Sequence, residues 1–285
     1  DVILNNGNLV MNFSKMNLVK DFNPNNGQII VEPGVCLSEV LLLSLALNFT
    51  LVACPGGSDV SIGGAIANNV HGKDSWKVGN FGENIVEIKL LKANFEIVSI
   101  RKEENNELFE AVVSGLGLIG IIIEVTLELK KIPSPFVSIS TIPTSNLQNS
   151  IKVIEESKEN YDFIVTWSDV FPKKTSMGRG FVSRSKWINH NEKLSSEALK
   201  ESMINSEKIF DIFPSKVSWS LLRLIYGQNF TRVMNTILYN KTKLNYLFSG
   251  KKEKVLGFSD YTFMFRKLPG FTDLFKPDGF LHFQP

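Results

Sequence analysis

The sequence predicts an α+β chain in two domains, residues 1–133 and 134–285. Three observations point there. Short strand-like and helix-like segments follow one another without internal repeats, a glycine-rich stretch interrupts the first half, and Pro133 and Pro135 punctuate the chain. At 285 residues it is long enough for two hydrophobic cores. A hydrophobic content of 43% and a charged content of 21% are those of a folded globular chain, not a disordered one.

Taken in order, Gln28–Val35 reads as a short strand ending at Pro33-Gly34. Leu37–Phe49 carries apolar residues all round and good helix formers, so a buried helix is expected. Leu51–Cys54 is expected to be a second short strand. Val86–Ile100 reads as two strands around a turn near Ala93-Asn94, and Glu107–Ser114 as a short helix. Ile121–Lys130 alternates, with Ile123, Val125, Leu127 and Leu129 on one face and charged or polar residues on the other, which predicts a half-buried strand. Past the prolines, Leu147–Glu159 reads as an amphipathic helix, Tyr161–Asp169 and Arg179–Ile188 as strands, and Asn189–Ser206 as a polar loop. Trp219–Phe248 has a helical pattern, and a strand-rich segment is expected from Val255.

The net charge of +2 excludes a dedicated nucleic-acid binder, which would carry a strong basic excess. The charge is unevenly spread: Glu201–Pro285 holds twelve Lys/Arg against seven Asp/Glu, leaving about −3 for residues 1–200. A basic second half suits a phosphorylated or membrane-surface ligand, or is simply a solvated face. Cys36 and Cys54 sit in apolar surroundings without metal-ligand spacing, so both read as reduced core residues and no metal site is expected. The longest apolar run, Val40–Cys54, is broken by Ser44, Asn48 and Thr50 and is shorter than the roughly 20 residues a transmembrane helix needs.

Two glycine motifs compete for attention. Gly115, Gly117 and Gly120 match G-x-G-x-x-G, but a helix precedes them and a strand follows, the reverse of the order that aims a helix N-terminus at a pyrophosphate. They read instead as a turn letting backbone pass close to a neighbour. Pro55–Ile85 is the stronger signal, with glycines at 56, 57, 63, 64, 72, 79 and 82. Gly56-Gly57 permits a sharp turn with exposed amides, and Ser61 can cap a short helix through Asn69 whose first turn carries Gly63 and Gly64. Such a turn admits a large anion to backbone N–H groups, or is a tight connection packed on a helix.

The segment PGGSDVSIGGAIANNVHGKDSWKVGNFGENI resembles the second half of the FAD-binding domain in the vanillyl-alcohol-oxidase, or PCMH-type, flavoproteins, and VSGLGLIGIIIEVTLEL resembles the segment that closes that domain. His71-Gly72-Lys73 after GGAIA is most similar to the decaprenylphosphoryl-β-D-ribose 2′-oxidase-like group, and GFLHFQP is similar to the stretch lining the sugar site there. The resemblance implies a PCMH-type FAD-binding domain followed by an α+β substrate or cap domain with an antiparallel sheet. It also implies further family segments before Asp1 and after Pro285, so that residues 1–285 alone bind FAD weakly. Asn94-Phe95 stands where relatives favour Asp-Gly.

For individual residues, the resemblance implies that Pro55, Gly56, Gly57, Ser58, Ser61, Ile62, Gly63 and Gly64 surround the FAD diphosphate, with amides and the Ser61 hydroxyl as donors. Asn68 and Asn69 would face the flavin or ribityl chain, and His71 and Gly72 would lie beside the ring. Gly117, Gly120 and Ile122 would pack near the cofactor. His71, Lys73 and Gln284 are the candidate catalytic residues, Lys73 toward a substrate phosphate or solvent, and Gln284 with His282 toward a sugar. Trp76 and Trp219 are expected in the core and His190 at the surface. The implied activity is oxidation of a secondary hydroxyl on a sugar or lipid-linked sugar by hydride transfer to flavin, paired with a short-chain reductase. A sugar-lactone oxidase and a non-catalytic relic are the rival readings. A cytoplasmic location is expected, with no transmembrane segment and with peripheral contact to the inner membrane allowed.

Overall fold

The computed structural model describes residues 11–172, 174–189, 227–248 and 253–263, with the paired stretches 208–209 and 213–214. The chain divides into two compact units, Asp1–Ile132 and Pro133–Pro285.

The first unit is organised by a five-stranded antiparallel sheet. Its strands are β1 (Val19–Asn23), β2 (Gln28–Val31), β4 (Ile85–Leu91), β5 (Ile97–Ile100) and β6 (Ile121–Glu128), in the order β1-β2-β6-β4-β5. Alternation decides which face is buried: Ile29, Val31, Ile88, Leu90, Val125 and Leu127 are fully buried. Opposite them Glu124 bridges Lys20 at 2.7 Å and Lys89 at 2.6 Å, across three strands. The small sheet of β3 (Phe49–Thr50) and β7 (Lys130–Lys131) closes the unit.

Helix α1 (Leu37–Leu45) starts where the Glu39 carboxylate accepts from the Cys36 amide at 2.8 Å. It is shorter than expected, because Phe49 is recruited into β3. It is also one-sided: Leu37, Val40 and Leu41 are buried while Leu42 and Leu43 are exposed, which corrects the expectation of an all-round buried helix. Leu51–Cys54 is not a strand. Its backbone bonds to side chains instead, Val52 N–H to Asn84 and Ala53 N–H to Asp74. The turn between β4 and β5 places Phe95 at φ +64°, 86% exposed, a left-handed position that Gly fills without steric cost. Helix α4 (Asn106–Val112) precedes the glycine turn and β6 follows it, so the order is indeed the reverse of a dinucleotide fingerprint.

The second unit is a four-stranded antiparallel sheet in the order β13-β8-β10-β9, built from β8 (Phe136–Thr144), β9 (Phe163–Ser168), β10 (Gly180–Trp187) and β13 (Lys254–Gly257). Helix α5 (Leu147–Ser157) is capped by the Asn146 side chain, which accepts from Asn149 N–H at 2.8 Å. Helix α6 (Gln228–Phe248) is anchored to the sheet edge by polar contacts. Asp169, 1% exposed, accepts from Arg179 at 3.2 Å and from Asn235 at 2.9 Å, and Arg179 donates onward to Thr236. The segment after Val255 is less strand-rich than expected: β13 runs into helix α7 (Phe258–Thr262), whose Phe258 and Tyr261 cluster with Phe163, while Phe258 also packs on Trp187. The remaining pair is β11 (Lys208–Ile209) with β12 (Phe213–Pro214). His190, Trp219, His282 and Gln284 lie outside the described residues, as does nearly all of the polar loop.

Candidate cofactor site

Helix α2 (Ile62–Ala67) is the centre of the candidate site. Ser61 is extended, at φ −77° and ψ 154°, and its hydroxyl accepts from Gly64 N–H at 3.2 Å, the capping role its position predicts. The first-turn amides are already engaged. Ile62 N–H donates to the Val35 carbonyl at 2.8 Å and Gly63 N–H to the Pro33 carbonyl at 2.8 Å. The expectation that Gly63 and Gly64 offer free amides to a diphosphate is therefore corrected. Gly63 is glycine for packing, since a Cβ there would lie 3.0 Å from the Pro33 side chain. Ile62 is fully buried in the core.

The donors lie one step upstream. Among the described residues, the amides of Gly56, Gly57, Ser58, Asp59, Val60 and Ser61 have no acceptor, though five of these six residues are half-buried and only Asp59 is exposed. Carbonyls in the same stretch are used to fix it: Val60 accepts from Leu37 N–H at 2.9 Å and Ser58 from Ser38 N–H at 3.4 Å. A loop pinned through its carbonyls, with a run of N–H groups that have no acceptor among the described residues, is a candidate anion cradle. That matches what a dinucleotide diphosphate requires.

Downstream, Asn69 adopts φ +41° and its side-chain carbonyl accepts from Gly82 N–H at 2.9 Å. Asn68, exposed, donates to the Gly64 carbonyl at 2.9 Å. Each side-chain amide thus spends one group on the chain, while its other group has no partner among the described residues. His71 is half-buried and its imidazole has no partner among the described residues. Gly72 cannot be replaced without disturbance: a Cβ would sit 2.6 Å from the Ala53 carbonyl carbon and the Cys54 amide nitrogen. Lys73 is half-buried, and desolvation lowers its ammonium to about 8 despite the opposing pull of Cys54 and Asp74. A wholly solvated lysine is not what the fold provides. Burial pushes the Cys54 thiol far above its ordinary range, which makes it an inert core residue, and Cys36 is half-buried with its thiol also raised by burial and by Glu39 and Asp59.

The glycine turn after α4 comes to the same place. Ser114 N–H donates to the Ile66 carbonyl at 3.1 Å and Leu116 N–H to the Ala67 carbonyl at 3.0 Å, docking the turn on the end of α2. Gly117 takes φ +75° with open space where a Cβ would point, Gly120 packs on Leu91, and Ile122 is half-buried in β6. Three residues that shape the site had no obvious signal. Asp74 is 8% exposed and holds Ala53 at φ +53°, Ser75 accepts from Gly72 N–H at 2.8 Å, and Asn84 ties Val52 to Phe81. The hint was available: short polar residues inside a glycine run, where the backbone lacks sheet or helix partners. Trp76 is 40% exposed, not core.

Comparison with known proteins agrees with the chemistry of this unit. Residues 1–101 match the FAD binding domain family. The chain is 27% identical over 237 residues to decaprenylphosphoryl-beta-D-ribose oxidase of Mycolicibacterium smegmatis, covering 81% of this chain and 52% of that protein. It is 34% identical over 128 residues to a putative D-arabinono-1,4-lactone oxidase of Neurospora crassa, covering 44% and 22%, and 26% identical over 186 residues to L-gulonolactone oxidase of Bos taurus, covering 65% and 37%. The chain thus spans about half the length of the first of these relatives and less of the others. The match of residues 1–101 to a family described as an FAD binding domain agrees with the PCMH-type resemblance and indicates FAD as the cofactor.

Proposed function

We propose that the protein is an FAD-dependent oxidoreductase that oxidises a secondary hydroxyl of a sugar, with a polyprenyl-phosphate pentose oxidised at its 2′-position as the leading substrate class. The observation that carries the cofactor half of this reading is the run of acceptor-less amides from Gly56 to Ser61 beside the Ser61 cap. Gly56, Gly57, Ser58 and Ser61 would hold the diphosphate, the Ser61 hydroxyl donating a hydrogen bond to a phosphate oxygen while accepting from Gly64 N–H. The remaining polar groups of Asn68 and Asn69 would serve the ribityl and flavin end, with Gly117, Gly120 and Ile122 lining its far side. Bound flavin supplies a hydride acceptor.

The chain's own part in the chemistry is binding and proton handling. His71 has an imidazole uncommitted to any described residue, so it can hydrogen-bond the hydroxyl being oxidised. Lys73 keeps a protonated majority at neutral pH, and a bound phosphate would raise its basicity further, which suits a phosphorylated sugar. The similarity to a decaprenylphosphoryl-ribose oxidase supports the substrate class, and a separate short-chain reductase would then return the ketone to an epimeric alcohol. The 34% identity to a putative arabinonolactone oxidase supports a second reading, oxidation of an aldonolactone.

Anaerobic mixing of the flavin-loaded full chain with each substrate separates the readings. Bleaching of the flavin absorbance by a polyprenyl-phosphate pentose, but not by an aldonolactone, is expected. Bleaching by the lactone alone would favour the second reading, and no bleaching by either would remove both.

A further inference from the structure

Helix α6 is apolar on the wrong side. Its inner face is fixed by contact: Asn235 donates to Asp169, and the Tyr239 ring lies under the Arg179 guanidinium at 5.2 Å. At 100° per residue, Val233, Ile237, Leu244 and Phe248 cluster about half a turn away from those two residues, with Leu247 adjoining. All five are exposed, at 57%, 53%, 51%, 84% and 63% respectively. An amphipathic helix docked on a sheet should present polar residues there. This one presents an apolar stripe, interrupted at Asn240, over about 22 Å from Val233 to Phe248.

The charge around the stripe is of one sign. Between Gln228 and Phe248 the helix holds Arg232, Lys241 and Lys243 and no acidic residue. Lys241 borders one edge of the stripe and Lys243 the other. Lys251, Lys252 and Lys254 follow in sequence, and the one acid among them, Glu253, is engaged by the Ser138 hydroxyl of β8. Among the described residues no helix is long and apolar enough to cross a membrane, and an apolar stripe bordered by lysines is the composition of a helix that lies on a membrane surface.

We propose that the outer face of α6 docks onto an anionic lipid bilayer, its apolar stripe entering the acyl boundary and its lysines meeting lipid phosphates. Charge complementarity selects this occupant. The spacing of Val233, Ile237, Asn240, Leu244 and Leu247 also resembles a coiled-coil seam, but a second copy would set Lys241 and Lys243 against like charges with no Glu or Asp to pair. An anionic surface satisfies both the stripe and its borders. The proposal stands apart from the flavin chemistry, which could fail without affecting it.

Co-sedimentation of the full chain with vesicles tests it. The chain should pellet with equal parts phosphatidylcholine and phosphatidylglycerol, stay in solution with phosphatidylcholine alone, and be released by high salt. The paired substitution Lys241→Gln and Lys243→Gln should lower the partition coefficient about thirtyfold. Leu244→Asp with Phe248→Asp should abolish pelleting while leaving the thermal unfolding midpoint and the flavin absorbance of the loaded protein unchanged, since these side chains face outward. Equal binding to neutral and anionic vesicles, pelleting by the Leu244→Asp, Phe248→Asp protein, or a concentration-dependent dimer dissolved by the same substitutions would each overturn the assignment.

Discussion

A methyl group at position 72 has nowhere to go, because Ala53 and Cys54 backbone atoms lie 2.6 Å from where it would stand. Gly72→Ala should cost about 1–3 kcal/mol, and it should weaken FAD binding with it because the displaced segment leads directly to Lys73. Chemical denaturation alongside flavin fluorescence titration reads both effects. Ser61→Ala removes the α2 cap, for about 1 kcal/mol of stability, and a ligand donor, for about a tenfold loss in FAD affinity. Ser61→Thr should rescue most of each. At Lys73 the sign of the pH dependence follows from burial. The folded ammonium titrates at about 8 and the unfolded one near 10.5, so between these values the unfolded chain binds more protons and stability rises with pH. Lys73→Met should flatten that rise in a series of melts across the same window; an unchanged slope would place the lysine in solvent.

At the scale of elements, legibility tracked whether local chemistry decided the structure. Ser61 before a glycine pair specified the α2 cap, and strict alternation specified β6, since each depends on neighbours within a few residues. The strand expected at Leu51–Cys54 failed because Asn84 and Asp74, some twenty to thirty residues on, supply its hydrogen bonds. The Gly63 amide escaped a local reading for the same reason, since its acceptor, the Pro33 carbonyl, lies on a distant segment, whereas the Gly64 amide is taken up by the local Ser61 cap itself. Polar anchors between elements are equally long-range and carry measurable stability. Asp169→Ala leaves Arg179 and Asn235 without their buried acceptor and should cost about 3–5 kcal/mol, loosening α6 from the sheet. Glu124→Gln, on the solvent face of the first sheet, should cost only about 1 kcal/mol. Hydrogen bonds from Lys20 and Lys89 hold the Glu124 carboxyl below its ordinary value, so its contribution is present at neutral pH and lost as pH falls through that lowered value. The Gln variant should converge with the parent in acid.

For the molecule as a whole, the account rests on a division of labour within the first unit. Carbonyls and short polar side chains hold the loop from Pro55 to Lys73 in place, and amides left over from that task would meet the ligand. If so, affinity should follow the phosphates more than the ring. Titration of the full chain with FAD and with riboflavin, each followed by flavin fluorescence, tests this most directly. FAD is expected to bind at least about a hundredfold more tightly, since riboflavin brings nothing for those amides to hold. Equal affinity for the two, or no binding of FAD by the intact protein, would contradict the account.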